Sequence, residues 1–173
     1  MELNRTALRL KIAVRALALL LCFSLAGKAH ALAVGSQAPD ITLPKLNGAQ
    51  FSLSSLRGKP VILTFFTTWS DSCAENLKFL SSHGKSLKGA GIVTVAFENK
   101  PETVSGFLKK HDIDLLTLID AKKTSIRDFR ILIIPMTFLI DADGIVDKVY
   151  VDFDEAVMES ITEDVKRLLS QKS

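Results

Sequence analysis

Stretches in which nearly every position is apolar or β-branched alternate along this chain with stretches in which apolar residues recur every three or four positions. Val61-Ile62-Leu63-Thr64-Phe65-Phe66 and Gly91-Ile92-Val93-Thr94-Val95-Ala96-Phe97 are of the first kind, and such runs predict strands buried on both faces. Leu115 to Ile119 predicts a shorter strand. Met136 to Ile140 and Ile145 to Val151 flank Asp141-Ala142-Asp143-Gly144, a strong hairpin turn signal. Asn47-Gly48 plays the same part between Ile41-Thr42-Leu43 and Phe51-Ser52-Leu53. The helical kind of spacing predicts a helix from about Ser72 to Lys88, with Leu77, Phe79, Leu80 and Leu87 apolar. A second opens at Pro101 and turns Val104, Phe107 and Leu108 inward. A short helix is expected over Thr124 to Arg130, and a last one from about Asp154 to Ser170 with a stripe of Val157, Ile161, Val165 and Leu168. Hairpin, β, α, β, α, β, α, β-hairpin, α is an α/β order. It implies a central mixed sheet flanked by helices, preceded by an N-terminal β-hairpin.

Residues 1–31 break the pattern. Arg5, Arg9, Lys11 and Arg15 make a basic start, Ala16 to Ala26 is almost wholly apolar, and Ala29-His30-Ala31 supplies a small-x-small cleavage pattern. These are the parts of a secretory signal peptide. The apolar run falls short of the ~20 residues of a membrane-spanning helix, although an uncleaved anchor is the alternative. The expected division is 1–31 signal peptide and 32–173 folded domain. The expected location is periplasmic, with membrane attachment only through an uncleaved signal. Cys22 follows Leu21 rather than the small residue of a lipoprotein site, and is expected to leave with the signal.

Charge changes meaning once that segment is set aside. It holds five of the 22 basic and one of the 19 acidic residues, so the remainder carries a net charge of about −1. Nothing electrostatic then points to nucleic acid as a partner. The remainder also keeps a single cysteine, Cys73. Alone it makes no intramolecular disulfide: it is an inert buried thiol, a bridge to another molecule, or a reactive group. Stability must come from an apolar core, which ~140 residues suffice to build.

Two stretches carry a family likeness. Leu56-Arg57-Gly58-Lys59-Pro60-Val61-Ile62-Leu63-Thr64-Phe65-Phe66-Thr67-Thr68-Trp69 resembles the strand leading to the active site of TlpA/ResA-like periplasmic thioredoxins. Ile134-Pro135-Met136-Thr137-Phe138-Leu139-Ile140-Asp141 resembles their cis-proline strand. The likeness runs in order from about Val34 to Asp152. It implies a thioredoxin-like fold, a thiol–disulfide oxidoreductase ancestry, and Trp-Cys-x-x-Cys after the first strand. Trp69-Ser70-Asp71-Ser72-Cys73 departs from that motif. Serine stands where the resemblance implies the attacking cysteine, and Cys73 stands at the resolving position. Dithiol exchange needs one thiolate to attack and a second thiol to resolve the mixed disulfide. A serine hydroxyl cannot form that bond, so two-electron disulfide reduction by this domain alone is not expected.

Three readings of the site stay open. In the first, Trp69, Ile134 and Pro135 line a groove for an extended extracytoplasmic peptide or protein, which is bound without turnover. In the second, Cys73 works as a single thiol with small thiols such as glutathione. Ser72-Cys73-Ala74-Glu75 fits a capping box that would set Cys73 first in a helix, where its thiolate is favoured, although Asp71 opposes a second negative charge. Ser70-Asp71-Ser72-Cys73 also resembles the Thr/Ser-x-x-Cys of peroxiredoxins, which makes a one-cysteine peroxidase the alternative function. Phe66 in the place of that motif's proline, and Pro135 where its arginine would align, argue against it. In the third, Cys73 is a small buried apolar residue and the serines are capping residues.

No cofactor and no metal is expected. His83 and His111 lack ligand spacing, and Cys73 with Met136 would be a soft copper(I) pair only if the fold joined them. Glu98 ends a strand at the expected site edge, as a proton acceptor or a solvated carboxylate. Lys85, Lys88, Lys109 and Lys110 read as solvated surface.

Overall fold

The structure is a computed structural model and describes residues 32–84, 87–98 and 100–171. The proposed signal segment therefore lies outside the described residues. The chain opens with a hairpin of β1 (Thr42–Pro44) and β2 (Gln50–Ser52), paired Thr42↔Ser52 and Leu43↔Phe51. Its loop turns where Asn47-Gly48 predicts: Gly48 adopts φ 82°, and Asn47 Oδ1 accepts from the Ala49 N–H at 3.1 Å. A single 3-10 turn, Leu53–Leu56, leads on to the main sheet.

That sheet has five strands in the order β5-β4-β3-β6-β7. They are β3 (Val61–Phe66), β4 (Gly91–Ala96), β5 (Leu116–Ile119), β6 (Met136–Ile140) and β7 (Val146–Val151). β3, β4 and β5 run parallel, while β6 is antiparallel to β3 and β7 to β6. The central strands β3 and β6 are buried at every position. This explains their unbroken apolar runs, whereas β7 at the edge alternates. The helices are α1 (Asp71–Ser82), α2 (Pro101–Lys110), α3 (Thr124–Asp128) and α4 (Glu155–Ser170).

Side-chain alternation sorts the sheet into two faces. Leu63 and Phe65 point into a core with the hairpin residues Ile41 and Leu43, with Met136 and Phe138, and with Phe129 beyond α3. Phe65 meets Phe97, Phe129 and Phe138 at ring-centroid distances of 5.6, 5.0 and 5.9 Å. Truncating so central a ring to alanine costs about 3–5 kcal/mol. Ile62 and Phe66 point the other way, toward Leu77 and Leu80 of α1, Phe107 of α2 and Ile161 of α4. The stripe expected on the last helix is the one it buries: Ile161, Val165 and Leu168 are buried, with Val157 packed at the margin.

Helix α1 ends at Ser82, six residues before the Lys88 expected from periodicity. Ser82 Oγ donates to the Phe79 carbonyl at 3.0 Å and the His83 N–H caps the same carbonyl at 2.9 Å. Ser81-Ser82-His83-Gly84 contains poor helix formers. Leu87, credited to this helix, is buried from the following loop instead.

Candidate functional site

The parallel strands β3, β4 and β5 all end at one edge of the sheet, where β6 begins and β7 ends. The segments leaving that edge are Thr67–Ser70, Phe97–Glu98, Asp120–Lys123, Leu132–Pro135 and Asp152. Trp69, Ser70, Cys73, Glu98, Ile134 and Pro135 all lie on these segments or on the first turn of α1.

Ser70 is the N-cap of α1. Its backbone is extended (φ −101°, ψ 124°), and its Oγ accepts from the Cys73 N–H at 3.4 Å. That is the ordinary work of a serine at this position. It corrects the capping-box expectation: the cap is Ser70, not Ser72, and Cys73 is the third residue of the helix, not the first. Ser72 faces elsewhere and donates its hydroxyl to Asp152 Oδ1 at 2.8 Å.

Cys73 is fully buried and free. It packs with Phe66, Ala74 and Leu77 between α1 and the sheet. Burial pushes its thiol pKa up. The nearby backbone of Thr67 and the hydroxyls of Ser70 and Thr67 pull it down, and the Asp152 carboxylate adds to the rise. The net direction is upward, so burial, helped by Asp152, outweighs these neighbours. Thr67 Oγ1 is itself buried without a hydrogen-bond partner.

Met136 is buried on the opposite face of the sheet, among Phe65, Phe129 and Phe138. The fold therefore separates it from Cys73, and the copper(I) pair does not form. Below the site, Asn76 on α1 is fully buried and donates weakly to Thr137 Oγ1 at 3.5 Å, while Thr137 Oγ1 meets Thr64 Oγ1 at 3.0 Å. Asn76 Oδ1 has no partner.

Trp69 stands outward, 79% exposed. Ile134–Pro135 is a cis peptide bond, with Pro135 buried and Ile134 half-buried. The Pro135 carbonyl accepts from the Asp152 N–H at 3.0 Å, with Asp152 at φ 65°. Asp152 thus ties the cis-proline loop to the first turn of α1. Glu98 is no free base: its Oε1 accepts from the Thr68 N–H at 3.1 Å and the Thr68 hydroxyl at 2.8 Å, holding the segment that carries Trp69.

Thr67 and Asp152 escaped the sequence reading. A threonine directly after a buried apolar strand was a usable signal. Asp152 gave none, because its partners lie far off in sequence.

A family model described as the AhpC/TSA family matches residues 34–149. The chain belongs to the AhpC/TSA family, among its TlpA/ResA-like members. It is 30% identical over 146 residues to the thiol-disulfide oxidoreductase ResA of Bacillus subtilis (strain 168), covering 83% of this chain and 79% of that protein. The crystal structure of a thiol:disulfide interchange protein of the thioredoxin family from Chlorobium tepidum TLS superposes with a TM-score of 0.68 at 28% identity, covering 79% of this chain and 98% of the other. Peroxidoxin BcpB from Mycobacterium tuberculosis shares the fold, with a TM-score of 0.67 at 22% identity over 78% of this chain and 96% of the other. The chain is thus a thioredoxin-fold protein of the thiol–disulfide oxidoreductase group, and its fold alone does not choose between disulfide exchange and peroxide chemistry.

Proposed function

We propose that this protein is an exported member of its family that binds an extracytoplasmic protein or peptide at the Trp69–Pro135 edge without dithiol turnover, as an accessory in redox homeostasis or protein maturation. The observation that carries the reading is the contrast at the start of α1: Trp69 is open to solvent while Cys73, four residues on, is fully buried under a serine cap. Serine 70 has no sulfur to attack a disulfide, and a buried thiol with a raised pKa supplies little thiolate in its place. An extended partner beside cis-Pro135 would use backbone hydrogen bonds and apolar contact with Trp69 and Ile134. Export is supported by the basic, apolar and Ala-His-Ala order of residues 1–31. No helix among the described residues is long and apolar enough to cross a membrane.

A second reading, a single-thiol or peroxidase role for Cys73, is favoured by one feature: polar groups of Thr67 and Ser70 lie close enough to the thiol to pull its pKa down and would favour a thiolate once formed. Insulin reduction with dithiothreitol separates the readings from ordinary oxidoreductase activity. The binding reading expects no rate above background. Turnover that survives Cys73→Ser would sink both readings, and turnover or peroxide consumption lost in that variant would favour the second.

A further inference from the structure

Four of the five large hydrophobic residues exposed among the described residues, Trp69, Leu132, Ile133 and Val151, lie at the site edge of the sheet. Trp69 follows β3, Leu132 and Ile133 precede β6, and Val151 ends β7, which orders them along adjacent strands. Such an apolar strip marks an interaction surface.

The charges beside the strip are sorted by sign. On the side where β5 leads into α3 stand Lys122, Lys123, Arg127 and Arg130, all exposed. Two carboxylates, Asp120 and Asp128, stand among these four cations, so the bank stays positive on balance. Both carboxylate oxygens of Asp120 accept from the backbone and hydroxyls of Thr124 and Ser125, and Asp128 pairs with Arg127 at 3.2 Å. On the β7 side stand Asp152, Asp154 and Glu155, also exposed and without a lysine or arginine among them; Asp152 and Asp154 accept from the Ser72 hydroxyl and the Val157 N–H and stay charged in doing so. The strip thus runs from a basic bank to an acidic one.

Resting on the binding reading above, we infer that the occupant of this edge is an extended protein segment of ordered charge: acidic residues at the end over Lys122 and Arg127, an apolar centre over Trp69 and Ile133, and basic residues at the end over Asp152 and Asp154. Complementary rim charges set orientation and reject wrong partners more than they add affinity. A segment charged alike at both ends meets one bank of its own sign, whereas the mixed segment meets neither.

Trp69 is the sole tryptophan of the chain and sits on the strip, so its fluorescence reports binding there. Three peptides with one shared core of Leu, Ile, Val and Phe are titrated at low salt: acidic at one end and basic at the other, acidic at both, and basic at both. The mixed peptide is expected to bind about fivefold tighter than either of the others. In the Lys122→Glu/Arg127→Glu variant the preference passes to the peptide that is basic at both ends. Lys123 is left alone because its φ of 54° disfavours most replacements. Equal binding of all three peptides would overturn the charge inference and leave the groove reading standing. No fluorescence response to any of them, in protein that melts normally, would overturn both.

Discussion

The hydroxyl of Ser72 donates to the carboxylate of Asp152 at 2.8 Å, joining the first turn of α1 to the end of β7 across 80 positions of sequence. Because the Asp152 N–H also donates to the Pro135 carbonyl, one residue sets the distance between the helix that buries Cys73 and the cis-proline loop. Its negative charge adds to the rise in the thiol's pKa. Asp152→Asn keeps an oxygen for Ser72, and asparagine tolerates the positive φ. The variant should therefore fold and titrate Cys73 at a lower pH than the wild type, though still above an ordinary thiol because burial remains. The pH dependence of thiolate ultraviolet absorbance tests this; an unchanged or higher midpoint would contradict the electrostatic assignment.

The cap sets the Ser70 hydroxyl against the backbone N–H of Cys73, and the resemblance to a two-cysteine motif implies that the two side chains can meet. Ser70→Cys should yield a disulfide with Cys73 that dithiothreitol opens, seen as the loss of both free thiols by mass after alkylation under denaturing conditions. Persistent free thiols under mild oxidant would falsify the alignment of Ser70 with the attacking cysteine. Ser70→Ala tests the cap alone and should cost about 1 kcal/mol in urea unfolding.

What the sequence discloses of this site follows from how local each interaction is. The buried runs of β3 and β6, the Asn47-Gly48 turn and the stripe of α4 are written in neighbouring residues, and they stand where periodicity puts them. Ser70 and Ser72 are both plausible caps, and choosing between them needs Asp152, whose bond to Ser72 turns that hydroxyl away from its own helix. Cys73 could be read as exposed or buried because a helix start alone does not reveal which side faces the sheet. The register that sets Phe66 beside it settles the matter only in three dimensions. Glu98 similarly reads as a solvated loop carboxylate until Thr68, 30 residues earlier, is seen to hold it.

Complete burial makes Cys73 a reporter of opening. Alkylation of the native protein should be slow across neutral pH and become rapid on adding denaturant, because reagent reaches the sulfur only when α1 lifts from the sheet. A rate near that of a free thiol in native buffer would contradict the placement of the helix and move the single-thiol reading ahead of the binding one.

A second long-range cluster gives the fold a pH dependence of known sign. Tyr150 Oη donates to Asp164 Oδ2 at 2.8 Å, Lys148 reaches the same carboxylate at 3.7 Å, and Arg167 joins Asp164 at 3.0 Å and also pairs with Asp147, clamping α4 to β7. For Asp164, burial pushes the pKa up, but the hydrogen bonds from Tyr150 and Arg167 and the nearby cations outweigh it, and the net direction is down. A depressed folded-state pKa stabilises above the unfolded carboxylate value of ~3.9, and that contribution is lost as pH falls through the folded value. Tyr150 moves the opposite way: burial first, then Asp164, raise its pKa. Its contribution is complete below the unfolded value of ~10 and is lost as pH rises through the folded one. Asp164→Asn should therefore melt below the wild type at neutral pH, with the gap closing as both are taken below pH ~3.9. Tyr150→Phe should differ from the wild type at neutral pH and converge with it as the solution is made strongly alkaline. Thermal melts across the pH range measure both, and a gap for Asp164→Asn that widens in acid would show that the carboxylate is not held ionised by the clamp.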